Sequence, residues 1–214
     1  MKRIIGLSLL ILVLAFWSGV SAMDLAGKFG FSGKGVLGRP IGDFADNGKL
    51  GGDIGYGFGV TGEYFISNQI AVGAHFDCSE FGFNWPFASI EIFLPGWESP
   101  SPSLKMSDFG VFAKYIIPTV SNAAPYLKLN LGLYKHKIQN NSEAHSYDTK
   151  FGFGVVGGVM FRANETFIIT GEAIFNNALV KDAETDMAGW KHFWPYNLQY
   201  IQIGVGVTLL VGGK

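Results

Sequence analysis

The stretch Leu198–Val211, LQYIQIGVGVTLLV, decides the fold. Ile201, Ile203, Val205, Val207, Leu209 and Val211 occupy every second position. Tyr200, Gln202, Gly204, Gly206, Thr208 and Leu210 lie between them. A period of two sustained over this length is a β-strand with one apolar face and one small or polar face.

Working back from this strand, the same alternation recurs. Residues 27–38 place Phe29, Phe31 and Leu37 opposite Lys28, Ser32 and Lys34, and 39–49 read as a loop rich in turn formers. In 50–66, Ile54, Tyr56, Phe58, Val60 and Tyr64 oppose Asp53, Gly55, Gly57, Gly59, Thr61 and Glu63. After the tight turn Ser67-Asn68-Gln69, residues 70–83 set Val72, Ala74 and Phe76 against Gly73, His75, Asp77 and Ser79. The parity then slips near Glu80, where Phe81 and Phe83 become the apolar set, which a β-bulge would explain. Further strands are read at 104–117, 125–137, 149–162 and 166–175, with 118–124 and 163–165 as short turns. Residues 84–103, 138–148 and 177–197 are long connections. The chain thus holds eight strands whose connections alternate long and short, and most of them reach the ~9–11 residues a tilted strand needs to cross a bilayer.

The sign of the alternation fixes which face is outside. One face is almost purely apolar. The other carries Lys28, Lys34, Asp53, Glu63, His75, Asp77, Asp108, Lys114, Lys128, Lys150, Arg162 and Glu172. A soluble barrel around a greasy ligand needs the reverse arrangement. With the charges inside, the exterior is an apolar belt that only a membrane tolerates, and a sheet in lipid must close because its edges cannot be satisfied there. The expected fold is therefore all-β: an eight-stranded antiparallel up-and-down transmembrane β-barrel. Short turns and both termini are expected on the periplasmic side, with the long loops outward. The twelve inward residues form a lumen lining whose six basic and five acidic side chains, His75 apart, should pair. An eight-stranded interior is just wide enough to be filled by its own side chains. The inner glycines, among them Gly57, Gly59, Gly110, Gly132, Gly154, Gly204 and Gly206, either leave a void or let a small barrel curve.

Composition agrees. Thirty glycines, 15% aromatic and 15% charged residues depart from both soluble enzymes and disordered chains. A net charge of −1 gives no case for nucleic acid. Lys2-Arg3, the apolar run 4–17 and Val20-Ser21-Ala22 read as a signal peptide over residues 1–22, cleaved to leave a barrel domain at 23–214. The single cysteine, Cys78, excludes an internal disulfide and reads as a small apolar residue.

Chemical motifs are few. Gly57–Gly62 and Gly152–Gly157 match GxGxxG, but each lies inside a strand and opens no helix. His75, His136, His145 and His192 show no metal-ligand spacing. Asp182, Glu184 and Asp186 lack the glycine of a calcium loop, since Met187 stands in its place. No Ser/His/acid spacing recommends a triad, so no catalytic, cofactor-binding or metal residue is expected. Trp85, Trp97, Trp190 and Trp194 fall in two long loops; they read as an outer aromatic girdle or as an external surface for an apolar solute.

The signal peptide, the eight alternating strands and the loop alternation resemble the small outer-membrane β-barrels of diderm bacteria, the OmpA-transmembrane-domain, OmpX and OmpW-like group. Gly204, Val207 and Leu209 partly match a terminal assembly signal, although the chain runs on through Leu210–Lys214 rather than ending in an aromatic residue. The resemblance implies a monomer in the bacterial outer membrane, contacts with outer-membrane lipid and lipopolysaccharide, and delivery by the barrel-insertion machinery. It leaves three readings. The first is a non-enzymatic structural or surface-interacting protein with a mostly packed polar lumen. The second is a porin-like conduit for small or hydrophobic solutes, as the OmpW-like resemblance suggests. The third, weaker, is a secreted soluble ligand-binding barrel.

Overall fold

A computed structural model describes residues 23–42, 45, 52–83, 103–140, 143–146, 149–179 and 198–212. Nine strands run in chain order: β1 Phe29–Ile41, β2 Gly52–Phe65, β3 Ile70–Phe83, β4 Ser103–Ile116, β5 Ala123–Asn140, β6 Glu143–Ser146, β7 Lys150–Arg162, β8 Phe167–Ala178 and β9 Leu198–Val211. The hydrogen-bonded order is β4-β3-β2-β1-β9-β8-β7-β5-β6, and β4 also pairs with β5. That last pairing closes the sheet, so each of the eight long strands has a neighbour on both sides and the barrel has no open edge. All pairings are antiparallel.

The first and last strands seal the cylinder, in register from Phe29↔Val211 to Ile41↔Gln199. β9 alternates strictly between buried and exposed, with Ile201, Ile203, Val205, Val207, Leu209 and Val211 outward. Gly206 lies across from Lys34, and Gly204 across from Glu172, so the inward row of β9 faces the charges of its neighbours.

Two readings of the sequence need correction. Residues 138–148 are not wholly a loop. β5 extends to Asn140, and β6 pairs back onto its tip from Lys137↔Ser146 to Asn140↔Glu143, where β5 still pairs with β4 on its other side as far as Ser103↔Gln139. The parity slip expected near Glu80 does not occur either. β3 holds one register against β4 from Ile70↔Tyr115 to Gly82↔Ser103, and Phe81 stays on the inward face with Ser79 and Asp77, fully buried. The irregularity lies on the facing strand, where the register shifts between Gly52 and Gly55. An inward phenylalanine looks like a slip only if the interior is assumed to be polar throughout.

The short turns are self-satisfied. Ser67 Oγ accepts from the amides of Gln69 and Ile70, and Asn164 Oδ1 accepts from those of Thr166 and Phe167. Thr119 and Ser121 hydroxyls donate to the Ala123 carbonyl. At the same end, Leu25 N and Ala26 N both donate to Asn68 Oδ1, at 2.8 and 2.9 Å. Gly27, at φ 77°, turns the chain into β1 and donates to the Phe65 carbonyl. This clamp folds Met23 and Leu25 inward against Phe65, Ala71, Ile116, Ala124, Met160, Ile168 and Leu210, which together make an apolar plug.

Candidate functional site

Above the plug the interior is a charged layer built from six strands. Lys34 on β1 lies 3.1 Å from Asp77 Oδ1 on β3 and 3.6 Å from Glu172 on β8. Glu172 also accepts from Lys128 Nζ at 3.2 Å and from the Tyr126 hydroxyl at 2.6 Å, both on β5. Lys114 on β4 is paired with Glu63 on β2. The ammonium of Lys114 stands over the rings of Tyr126 at 5.1 Å and Phe65 at 5.7 Å, and that of Lys128 over Phe112 at 5.2 Å. His75 Nε2 lies 2.8 Å from Asp108 Oδ2, both buried. The ion pairs of Lys34, Lys114 and Lys128 each span an intervening strand, so they brace the lumen's cross-section, while His75 and Asp108 sit on the adjacent strands β3 and β4. A buried charge without a partner is strongly destabilising, and each of these has one.

An amide layer follows. Gln202 Nε2 donates to Ser79 Oγ at 2.8 Å, Asn176 Nδ2 to Gln202 Oε1 at 3.2 Å, and the Tyr134 hydroxyl to Asn176 Oδ1 at 3.3 Å. Beyond it, towards the long connections, Phe81 and Tyr200 meet with ring centroids 5.2 Å apart, beside buried Leu104, Met106 and Leu198.

Inner glycines make room for these side chains. A Cβ on Gly59 would overlap the Asp77 carboxylate and Lys34, and one on Gly132 would overlap Asp108. One on Gly158 would meet the Tyr126 ring, and one on Gly154 would meet Asn176. The space is filled by neighbours, so these positions leave no void.

Of the inward residues read from the sequence, Lys34, Glu63, His75, Asp77, Asp108, Lys114, Lys128 and Glu172 come together in the charged layer. Four do not join it. Lys28 is half-buried at the foot of β1, Lys150 is half-buried, and Arg162 turns its Nε to the Asn164 carbonyl. Asp53 is exposed beside the β2 irregularity and accepts from the Ile54 amide. Trp85, Trp97, Trp190 and Trp194 lie outside the described residues. The sequence reading missed the plug and the inward aromatics Phe65, Phe81 and Phe112, while Tyr200 lies on the inward face where the alternation put it. Their signal was parity: each shares the inward register of its strand.

His75, Asp77 and Asp108 each offer one donor atom, and these lie within 4.8 Å of one another; among the described residues they are the group best placed to hold a metal. The arrangement serves the protein's own charges instead. Lys34 already supplies the cation beside Asp77, and His75 is committed to Asp108.

A closed antiparallel barrel, apolar outside and charged within, is a membrane-spanning β-barrel. The chain belongs to the outer membrane protein beta-barrel domain family, whose profile matches residues 10–208. Solved structures of similar fold include Neisserial surface protein A, 15% identical, covering 86% of this chain and 98% of that one, with a TM-score of 0.60. They also include the Pseudomonas aeruginosa outer membrane protein OprG, at 13% identity, 89% and 98% coverage and a TM-score of 0.53. The attachment invasion locus protein Ail of Yersinia pestis matches at 15% identity, 87% and 99% coverage and a TM-score of 0.51. At these identities the likeness is one of fold. No curated protein sequence matches the chain.

Proposed function

We propose that the protein is a non-conducting, non-enzymatic outer-membrane scaffold that carries its long loops on the cell surface. In this reading residues 1–22 are cleaved after export, and the short turns, the N-terminal segment and the end of β9 face the periplasm. The observation that carries it is the filled interior: apolar plug, cross-lumen ion pairs, amide row and aromatic layer succeed one another along the axis. A conduit needs a continuous polar path, and the plug of Met23, Leu25, Phe65 and Leu210 interrupts one. The polar groups of the charged layer face one another rather than a cleft, which argues against chemistry on a substrate. Planar-bilayer recording of the folded protein tests the reading. It expects no steady channels; sustained unitary steps in the folded protein would replace it with the conduit.

A further inference from the structure

The fixed charges of the layer do not balance. Lys34, Lys114 and Lys128 bring three ammoniums, Glu63, Asp77, Asp108 and Glu172 bring four carboxylates, and none of these side chains is more than 21% exposed. The lysines are committed: Lys114 to Glu63, Lys128 to Glu172, and Lys34 to Asp77 and Glu172. Asp108 is the carboxylate left over, and among the described residues its ion-pair partner is His75, whose Nε2 lies 2.8 Å from Oδ2. Asp77 adds to the imbalance, because it is the direct cross-strand partner of Asp108 and like charges so placed repel. One donor atom from each of His75, Asp77 and Asp108 lies within 4.8 Å of the other two, so the imidazole adjoins both carboxylates. The elements packed around it add no spare cation. From β2 come Thr61, its cross-strand partner, and Glu63, bound to Lys114. From β4 come Gly110, its partner there, and Phe112, with ring centroids 6.3 Å apart. From β5, Tyr134 is the cross-strand partner of Asp108, and Lys128 is bound to Glu172 of β8. A Cβ on Gly110 would crowd the His75 ring and one on Gly132 would overlap Asp108, so the pair fills the space those two glycines leave.

We propose that His75 is the fourth cation of the layer: in the folded barrel it is an imidazolium, and its proton is a pH-sensitive lock on the sealed lumen. A neutral imidazole would donate Nε2–H to Asp108 at the same distance, but the interior would then carry one net negative charge, which a dry core holds only at high cost. A second proton on His75 cancels that charge without moving a residue. The inference rests on the filled interior proposed above, since salt water in an open lumen would balance Asp108 without His75. A histidine in the unfolded chain gives up its proton at about pH 6.5. Below that pH the lock is complete. Above it the folded barrel holds one proton more than the unfolded chain, so rising pH favours unfolding, by up to about tenfold in the unfolding constant per pH unit, until the folded barrel releases the proton too.

Nitrogen NMR of the unaltered protein in lipid bilayers, with its histidine rings labelled, reads the charge directly at about one pH unit above the unfolded value. Through-space transfer to the Asp108 carboxyl carbon assigns the signal to His75. Both ring nitrogens are expected to carry a proton, and in Asp108→Asn the ring should revert to a neutral tautomer. Urea unfolding in vesicles then compares the parent with His75→Gln across pH, with heat-dependent gel mobility confirming that each variant is folded. The parent should be the more stable at low pH, and the two unfolding constants should converge as pH rises, by up to about tenfold per unit. A neutral His75 in the folded parent overturns the proposal, and so does a ratio of unfolding constants that stays flat with pH. Planar-bilayer recording judges the sealed lumen separately. A neutral His75 without channels overturns the imidazolium alone, whereas steady channels overturn the filled interior on which it rests.

Discussion

Glu172→Gln is the sharpest test of the charged layer. Glu172 accepts from Lys128 at 3.2 Å and from the Tyr126 hydroxyl at 2.6 Å, and forms an ion pair with Lys34 at 3.6 Å. The amide keeps its shape and can still accept from Tyr126, so the loss is one of charge. At an effective dielectric of 20, unit charges at these separations attract by about 5 kcal/mol each. Much of that gross attraction offsets desolvation, and removing one partner of a buried pair leaves about 3–5 kcal/mol of destabilisation. Lys34 keeps Asp77, so Lys128 is the group left exposed to the full cost. A second substitution, Lys128→Met, removes that stranded cation, and the double variant should recover about half of the loss or more. Urea unfolding in lipid vesicles, followed by heat-dependent gel mobility, measures both. If Glu172→Gln lies within about 0.5 kcal/mol of the parent, the cross-lumen ion pairs are not stabilising the barrel.

Other perturbations separate the faces. Val205, 64% exposed on the outward row of β9, should cost about 2–4 kcal/mol as arginine if it sits at the bilayer midplane; unaltered folding into lipid would put the wrong face outside. Gly59→Ala forces a Cβ onto Asp77 and Lys34 and should cost about 1–3 kcal/mol. Gly35→Ala meets nothing within 4 Å and should be close to neutral in the same unfolding assay, so equal costs would contradict the filled interior. Asn68→Ala strips the shared acceptor from the Leu25 and Ala26 amides. It should speed hydrogen exchange at residues 25–27 while strand amides stay protected, and unchanged exchange there would mean the clamp does not hold the plug.

Much of the barrel was legible because period two survives any error in strand ends. Val205 and Gln202 declare their faces whatever the register, and a closed sheet then follows from the membrane. The charged layer was legible as a set, since Lys34, Asp77 and Glu172 share the inward parity. Their pairing was not, because Lys34 meets a residue two strands away in one direction and another two strands away in the other. The plug stayed hidden for a different reason. Phe65, Ile116, Ile168 and Leu210 are apolar residues on a face defined by its polar members, and only the inward return of Met23 and Leu25 shows that this end of the lumen is dry.

The central claim is an apolar wall around a sealed interior. Water-edited and lipid-edited solid-state NMR of the unaltered protein in bilayers tests both halves at once along Leu198–Val211. Ile203, Val205 and Val207 should receive magnetisation from acyl chains, while Gln202, Gly204 and Gly206 should receive little from either lipid or water. Strong, rapid water transfer to Gln202, Gly204 and Gly206 would show a hydrated conduit and contradict the account.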